Sequence, residues 1–268
     1  MKKTIAFFAA AMLLLTLMAG CGAQIDPAAL SVLEEYEARL DAVEAQLAEA
    51  ESAEETDEET EESAPETAET VSVFVTIADA GALVVSDEAV DAEDVDGDGA
   101  VSIGDALYCA HERFYAGGAA EGYAAEETEY GLSMTKLWGV ENGGSYGYYL
   151  NNASAWSLAD PVAQGDHIYA FGYADLESWS DTFAYFDSYE AQNEAELTLY
   201  YTAFDENWNP VETPLANAVI TIDGEETGSA TDENGKFTVS VSEAGRHIVS
   251  AVCEDMTITP PICILTVE

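Results

Sequence analysis

Basic residues are scarce in this chain. Over 268 residues there are seven Lys plus Arg against 53 Asp plus Glu, a formal net charge of −46. So negative a surface excludes nucleic-acid binding through phosphate contacts, which need Lys and Arg. It also disfavours docking to anionic lipid by charge. Three His leave little room for histidine-based catalysis or a multi-His metal site. The four Cys, at positions 21, 109, 253 and 263, form no CxxC pair. No phosphate loop, HExxH or strand-to-helix nucleophile elbow is legible. Long hydrophobic runs are missing too, apart from Ile5–Met18, 14 residues whose one polar member is Thr16. What the chain does have is 48% hydrophobic residues, enough for a globular protein. Its carboxylates suit a self-repelling soluble surface, or one that holds cations. Facing carboxylates would suit glycoside hydrolysis. Acids are so abundant that no pair stands out, and segments of about a hundred residues are small for a deep cleft. The expectation is a protein without catalytic activity.

The Ile5–Met18 run is too short for a comfortable transmembrane helix and has the length of a signal-peptide core, preceded by Lys2 and Lys3. It ends Leu17-Met18-Ala19-Gly20-Cys21. This resembles the bacterial lipoprotein signal, in which small residues precede a lipidated cysteine. The resemblance implies a leader over 1–20 and a lipid anchor on Cys21. It places the mature chain outside the cytoplasm, in the cell envelope, held to a membrane by acyl chains.

Asp26-Pro27 has the form of a helix start, with Asp as N-cap and Pro at the first helical position. Leu33, Tyr36, Leu40, Val43 and Leu47 follow at spacings of three and four, which predicts a helical stalk over 21–50. The seam is long enough to self-associate as a short coiled coil, or to lie along the chain as one amphipathic helix. Residues 51–70 hold ten acidic residues and no basic or aromatic one. Such a stretch buries too little to offset its ordering entropy, so the composition predicts an extended, disordered spacer.

From Val71 the texture changes. VSVFVTI alternates as a strand does, and Gly, Tyr and Trp become frequent. The first folded segment is expected over 71–190 and a second over 196–268. In the second, LTLYYTAF, AVITID, KFTVSVS, HIVSAVC and ICILTV are separated by turn signals, the pattern of a small β-sandwich.

The sharpest motif is the twelve-residue stretch from Asp94 to Asp105, DVDGDGAVSIGD. Acids at positions 1, 3, 5 and 12, with Gly99 at position 6, are what a loop needs to turn carboxylates onto a hard cation. The expected ligands are Asp94, Asp96 and Asp98, the Ala100 carbonyl, Ser102 directly or through water, and Asp105. The expected ion is Ca²⁺, because Mg²⁺ demands stricter octahedral geometry. Val101 should point into the core, and a helix over 105–115 should bury Leu107, Ala110 and Phe114. The register matches an EF-hand loop, and Asp at position 12 makes it resemble the dockerin variant. Dockerins carry two such loops and this chain carries one, so the ion is expected to serve as a structural clip.

Downstream lie Lys136-Leu137-Trp138-Gly139, Tyr148-Tyr149-Leu150-Asn151-Asn152 and Gly165-Asp166-His167-Ile168. Over roughly 71–187 these resemble the C-terminal domain of transcobalamin-type vitamin B12 carriers, with Asn152 where that family usually has Gly. The resemblance implies an α+β, β-grasp-like domain with the calcium-loop helix packed on a sheet. Trp138, Tyr146, Tyr148, Tyr149 and Trp156 form a candidate ligand surface, since aromatic faces stack on sugars or a corrin ring. The alternative is core: along a strand Tyr146 and Tyr148 share one face and Tyr149 the other, so part of the set must be buried.

Thr231-Asp232-Glu233-Asn234-Gly235-Lys236-Phe237 has the form of a hairpin with Asn-Gly at its tip. With the strands around it, residues 196–268 resemble the Ig-like or prealbumin-like modules of bacterial surface proteins, which act as spacers or adhesion units. Cys253 ends one expected strand and Cys263 opens the last, so a disulfide between them is a candidate in an oxidising compartment. The fold expected is therefore mainly β: a helical stalk, an α+β domain with one calcium loop, and a β-sandwich. The function expected is a lipid-anchored adhesion or ligand-binding module. Its partner would be a glycan, a corrinoid or a protein, and an accessory role in polysaccharide breakdown is a further alternative.

Overall fold

The computed structural model describes residues 70–207 and 209–268. The leader, Cys21, the helical stalk and the acidic spacer up to residue 69 lie outside the described residues. The described chain is mainly β, as expected. Among the described residues no helix is long and apolar enough to cross a membrane.

The first half begins with strands β1 (Val71–Asp79) and β2 (Ala82–Ala92), paired antiparallel. The turn between them puts Ala80 and Gly81 at φ of 47° and 79°, the left-handed pair that a two-residue hairpin turn demands. Helices α1 (Ile103–Phe114) and α2 (Gly118–Gly122) follow, then a two-stranded ribbon of β3 (Ala124–Thr128) and β4 (Gly131–Lys136). Strands β5 (Tyr146–Leu150), β6 (Ala153–Ser154) and β7 (His167–Gly172) complete a five-stranded sheet in the order β2-β1-β7-β5-β6. Strand β1 runs parallel to β7, with Phe74 opposite His167, so two neighbouring strands of this sheet are distant in sequence. Helix α1 closes one face of the sheet. Its Ile103, Leu107 and Ala110 are fully buried against Val73, Val75, Ile77 and Ile168. Burying side chains of this size contributes about 1.5–3 kcal/mol each.

The second half contains two sheets. One holds β10 (Glu194–Phe204) between β11 (Pro210–Pro214) and β14 (Lys236–Ser240), with β8 (Ala184–Phe186) also on β10. The other has the order β13-β12-β15-β16-β9, formed by β9 (Glu190–Gln192), β12 (Val219–Ile222), β13 (Glu225–Ala230), β15 (Gly245–Val252) and β16 (Cys263–Val267). Alternation along the strands turns Leu197, Leu199, Phe237 and Val239 inward from the first sheet. These residues meet Ile220, Val249, Ala251 and Leu265 of the second.

Two sequence expectations are corrected here. The Asn234-Gly235 turn joins no hairpin. It leads from β13 to β14, which belong to different sheets. The Thr231 hydroxyl donates to the Leu215 carbonyl at 2.6 Å and accepts from the Ala218 N–H, while the Asp232 carboxylate accepts from the N–H groups of Asn234 and Lys236. These bonds turn the chain from one sheet into the other. Gly235 is required there, because at φ 73° a Cβ would lie 2.5 Å from the Leu199 carbonyl oxygen. The Cys253–Cys263 bridge is the second correction, since both thiols are free. The β15–β16 register puts Cys263 opposite Val249, four residues along the strand from Cys253.

The halves share a third cluster of buried side chains. Ala78, Tyr169 and Phe171 from the first half pack with Phe183, Ile262 and Ile264. Tyr149 stacks on Phe183 at a centroid distance of 3.6 Å, and the Tyr169 hydroxyl donates to the Pro260 carbonyl at 2.7 Å. Strand β1 is buried almost continuously for this reason: α1 covers one face of its sheet and the second half covers part of the other.

Candidate metal centre and aromatic surfaces

The loop between β2 and α1 winds around the Asp94 carboxylate. Its Oδ1 accepts from the N–H groups of Gly97 at 2.7 Å and Asp98 at 3.2 Å, and its Oδ2 accepts from Gly99 at 2.9 Å. Gly97 and Gly99 hold φ of 76° and 95°, which lets consecutive N–H groups converge on one acid. Asp96 accepts from the Asp98 N–H, and Asp98 from the Ala100 N–H. The result is a cluster in which carboxylate oxygens of Asp94, Asp96 and Asp98 all lie within 4.8 Å of one another. Oxygen donors so placed suit a hard divalent cation.

The two outer members of the expected ligand set are occupied otherwise. Ser102 is the N-cap of α1. Its side chain accepts from the Asp105 N–H, while Asp105 accepts from the Ser102 N–H at 2.9 Å and hydroxyl at 2.5 Å. This capping box satisfies two donors at the helix start. The other Asp105 oxygen accepts from the Val95 N–H at 3.0 Å, tying the beginning of the loop to its end. Asp105 is buried and stands outside the three-acid cluster. The helix accordingly starts at Ile103, two residues before the expected boundary. Val101 is buried as expected, and Val162 donates its N–H to the Val101 carbonyl.

Charge inside the loop is unequally settled. The Asp94 carboxyl is held below its usual range, chiefly by the Gly99 N–H. Asp96 is lowered by the Asp98 N–H, but desolvation and the charges of Asp98, Asp105 and Asp94 outweigh that bond and raise it. A group that wants a proton at the centre of an acid cluster is one that a cation would relieve.

The five candidate aromatics divide. Tyr146 and Tyr148 pack against the helix-side core with Trp138, and Tyr149 packs on the opposite face against Phe183. Only Trp156 is open, 90% exposed. Sequence reasoning missed its neighbour Tyr130, 81% exposed at the tip of the β3–β4 ribbon. The two turns touch: the Ser157 hydroxyl donates to the Leu132 carbonyl, and a Cβ on Gly131 would lie 2.9 Å from that hydroxyl. The Asp160 carboxylate fixes the Trp156 loop by accepting from the Trp156 and Ser157 N–H groups.

Each half also buries one histidine whose two ring nitrogens are both partnered. His111 on α1 lies at 2.6 Å from the Leu107 carbonyl through Nδ1 and accepts the Trp138 N–H through Nε2, so it is held as the neutral ring. Tyr115, Tyr123 and Trp138 box it in, and burial lowers its pKa. His247 on β15 instead faces the Asp223 carboxylate at 2.7 Å and the Glu243 carbonyl at 2.8 Å, and Asp223 raises its pKa. Beside it, Arg246 reaches across to Glu88 at 3.3 Å and to the Ser86 carbonyl of β2.

Gly143-Gly144-Ser145-Tyr146-Gly147 has the G-x-S-x-G spelling but leads into a strand instead of a helix. Its Ser145 is held by Asn142 on both backbone groups, so it does not form a nucleophile elbow.

Compared with known proteins, the chain matches no family model, no curated protein and no solved structure.

Proposed function

We propose that the chain is a lipid-anchored binding module of the bacterial cell envelope, without catalytic activity, whose first half is clipped by one calcium ion. The observation that carries this reading is the twelve-residue loop. Three carboxylates of an EF-hand register converge on one point, and the loop then leads into a capped helix that forms one side of a core. Asp94, Asp96 and Asp98 would hold the ion, with the Ala100 carbonyl beside them. Asp105 acts as the strut that closes the loop. The β-grasp-like reading of the first half is supported by the order β2-β1-β7-β5, with β1 parallel to β7 and α1 across the sheet. The sandwich reading of the second half is supported by two sheets facing one core. Anchoring rests on the residues before Cys21.

The test is thermal unfolding of the full chain with calcium and with chelator, combined with membrane partition of Cys21→Ser. A ligand of the folded state alone stabilises by about 2.7 kcal/mol at a hundredfold excess over its dissociation constant. Calcium should raise the midpoint for the native chain and leave Asp96→Ala unmoved. An identical melt with calcium and chelator removes the clip. Membrane retention of Cys21→Ser removes the anchor.

Trp156 and Tyr130 favour one more specific reading, a glycan receptor. Two exposed aromatic side chains on touching, hydrogen-bonded turns offer a stacking platform. Retention on a neutral β-glucan column that Trp156→Ala does not reduce would rule it out.

A further inference from the structure

A groove of about 880 Å³ opens where the two halves meet, and none of its lining residues belongs to the acidic loop. One wall is the β1–β2 turn and the start of β2, with Leu83 and Ser86. The other is β15 and the loop after it, with Ile248, Val252, Met256 and Ile258. Its volume lies within the range of small-molecule sites, roughly 300–1,000 Å³.

The chemistry of the walls narrows the occupant. Aliphatic side chains and a methionine supply the apolar surface, and no aromatic residue lines the groove, so stacking on a sugar is not available there. Three carboxylates, Asp223, Glu254 and Asp255, stand around it. Asp223 is committed to His247 and to the Ile248 N–H. Glu254 and Asp255 are exposed, and no ion pair reaches either one among the described residues. The described cations are engaged elsewhere. Lys136 pairs with Glu141, Lys236 with Glu196 and Arg246 with Glu88, and Arg113 donates to the Ala89 carbonyl. An anion entering the groove would meet unpaired carboxylates in a chain of net charge −46. A small hydrophilic cation would leave the apolar wall uncovered.

We propose that this groove binds a small organic cation with an apolar body, an alkyl or arylalkyl ammonium, its charge beside Glu254 and Asp255 and its body against Ile248, Val252 and Met256. The proposal supplies a ligand class for the binding-module reading and rests on it for its biological role, but not on the calcium loop or on the Trp156 surface.

Cys253 is a half-buried free thiol in the groove wall and gives a direct readout. The experiment uses the full chain in a Cys21→Ser background, with calcium present, at physiological ionic strength. The probes are 4-phenylbutylamine, 4-phenylbutyrate, 4-phenylbutanol and methylammonium. Binding is followed by calorimetry and by the rate of iodoacetamide alkylation at Cys253 relative to Cys109. Phenylbutylamine should saturate at one per chain and slow alkylation of Cys253 alone. The carboxylate, the alcohol and methylammonium should do neither. Glu254→Gln with Asp255→Asn should weaken phenylbutylamine about tenfold, a loss of about 1.4 kcal/mol. Both residues are exposed and the replacements are isosteric, so the fold should stand. The control Glu126→Gln with Glu127→Gln, on strand β3, should leave binding as it was. Equal weakening by the two double variants would mean diffuse attraction to a negative surface and would overturn the site. So would equal binding of amine and carboxylate, or saturation without protection of Cys253. Failure of the calcium melt alongside protection of Cys253 would remove the clip and leave the groove standing.

Discussion

From β1 to β7 a helix packs onto one sheet, whereas from β8 to β16 sheet packs on sheet, and the buried histidine of each half follows the difference. Helix α1 presents His111 to an interior where its ring nitrogens meet one backbone acceptor and one backbone donor. No carboxylate faces it there, so the neutral ring is the one that fits. The sandwich leaves His247 at a sheet end, where the turn after β12 brings Asp223 to it. The charged ring fits that place. Helix α1 holds its histidine as the neutral ring and the end of β15 holds His247 as the charged one, because the first faces only backbone groups and the second a carboxylate.

The strongest way to break the comparison is to uncouple the halves. Phe183 is buried in the shared cluster, stacked on Tyr149 and edge-on to Tyr169. Phe183→Ala should cost about 3–5 kcal/mol, the usual range for a buried phenylalanine. It should split one unfolding transition into two. A single transition at nearly the native midpoint would mean that the halves are not joined through this cluster.

A smaller effect sharpens the comparison through pH. His111 has its pKa lowered from 6.5 on folding, so the stability it contributes is present above about pH 6.5 and lost as pH falls toward the folded value. His247 has its pKa raised, so its contribution is fully present below about pH 6.5 and lost as pH rises through the folded value. The buried site, His111, can supply a slope of at most about 1.4 kcal/mol per pH unit. Urea midpoints should therefore decline on both sides of about pH 6.5. His111→Asn should flatten the acid side, and His247→Asn should flatten the alkaline side by less, because that pair lies nearer the surface. A native profile that is level between pH 5 and 8 would contradict both assignments.

Much of the fold was legible because it is local. The alternation in VSVFVTI, KFTVSVS and ICILTV became β1, β14 and β16, and the Gly165-Asp166 turn leads into β7 as read. Tyr146 and Tyr148 do share a face opposite Tyr149. The acidic loop was legible as a register, and the helix start at Ile103, two residues before the expected boundary, was legible too: Ser102-Ile103-Gly104-Asp105 is a capping-box spelling. Strand β2 was missed because ALVVSDEAVDA breaks its own alternation at Asp87, which sits at φ 52° in a bulge. The sheet switch at Asn234-Gly235 could not be read, because a tight turn fixes chain reversal and not the neighbour that the next strand finds. The groove was invisible for a like reason, since its two walls come from residues 81–86 and 221–260.

The parallel pairings carry a consequence for how this molecule comes into being. Strand β1 completes its sheet only with β7, and β9 finds its neighbour only in β16, the last strand of the chain. Both closures span long loops, the kind of contact order that slows folding. A chain emerging from a ribosome, N-terminus first, would keep the edge of β1 open until β7 arrives, and that of β9 until its final residues are through. Its surplus of like charge needs no folding to take effect, and would hold unfinished chains apart while those edges wait.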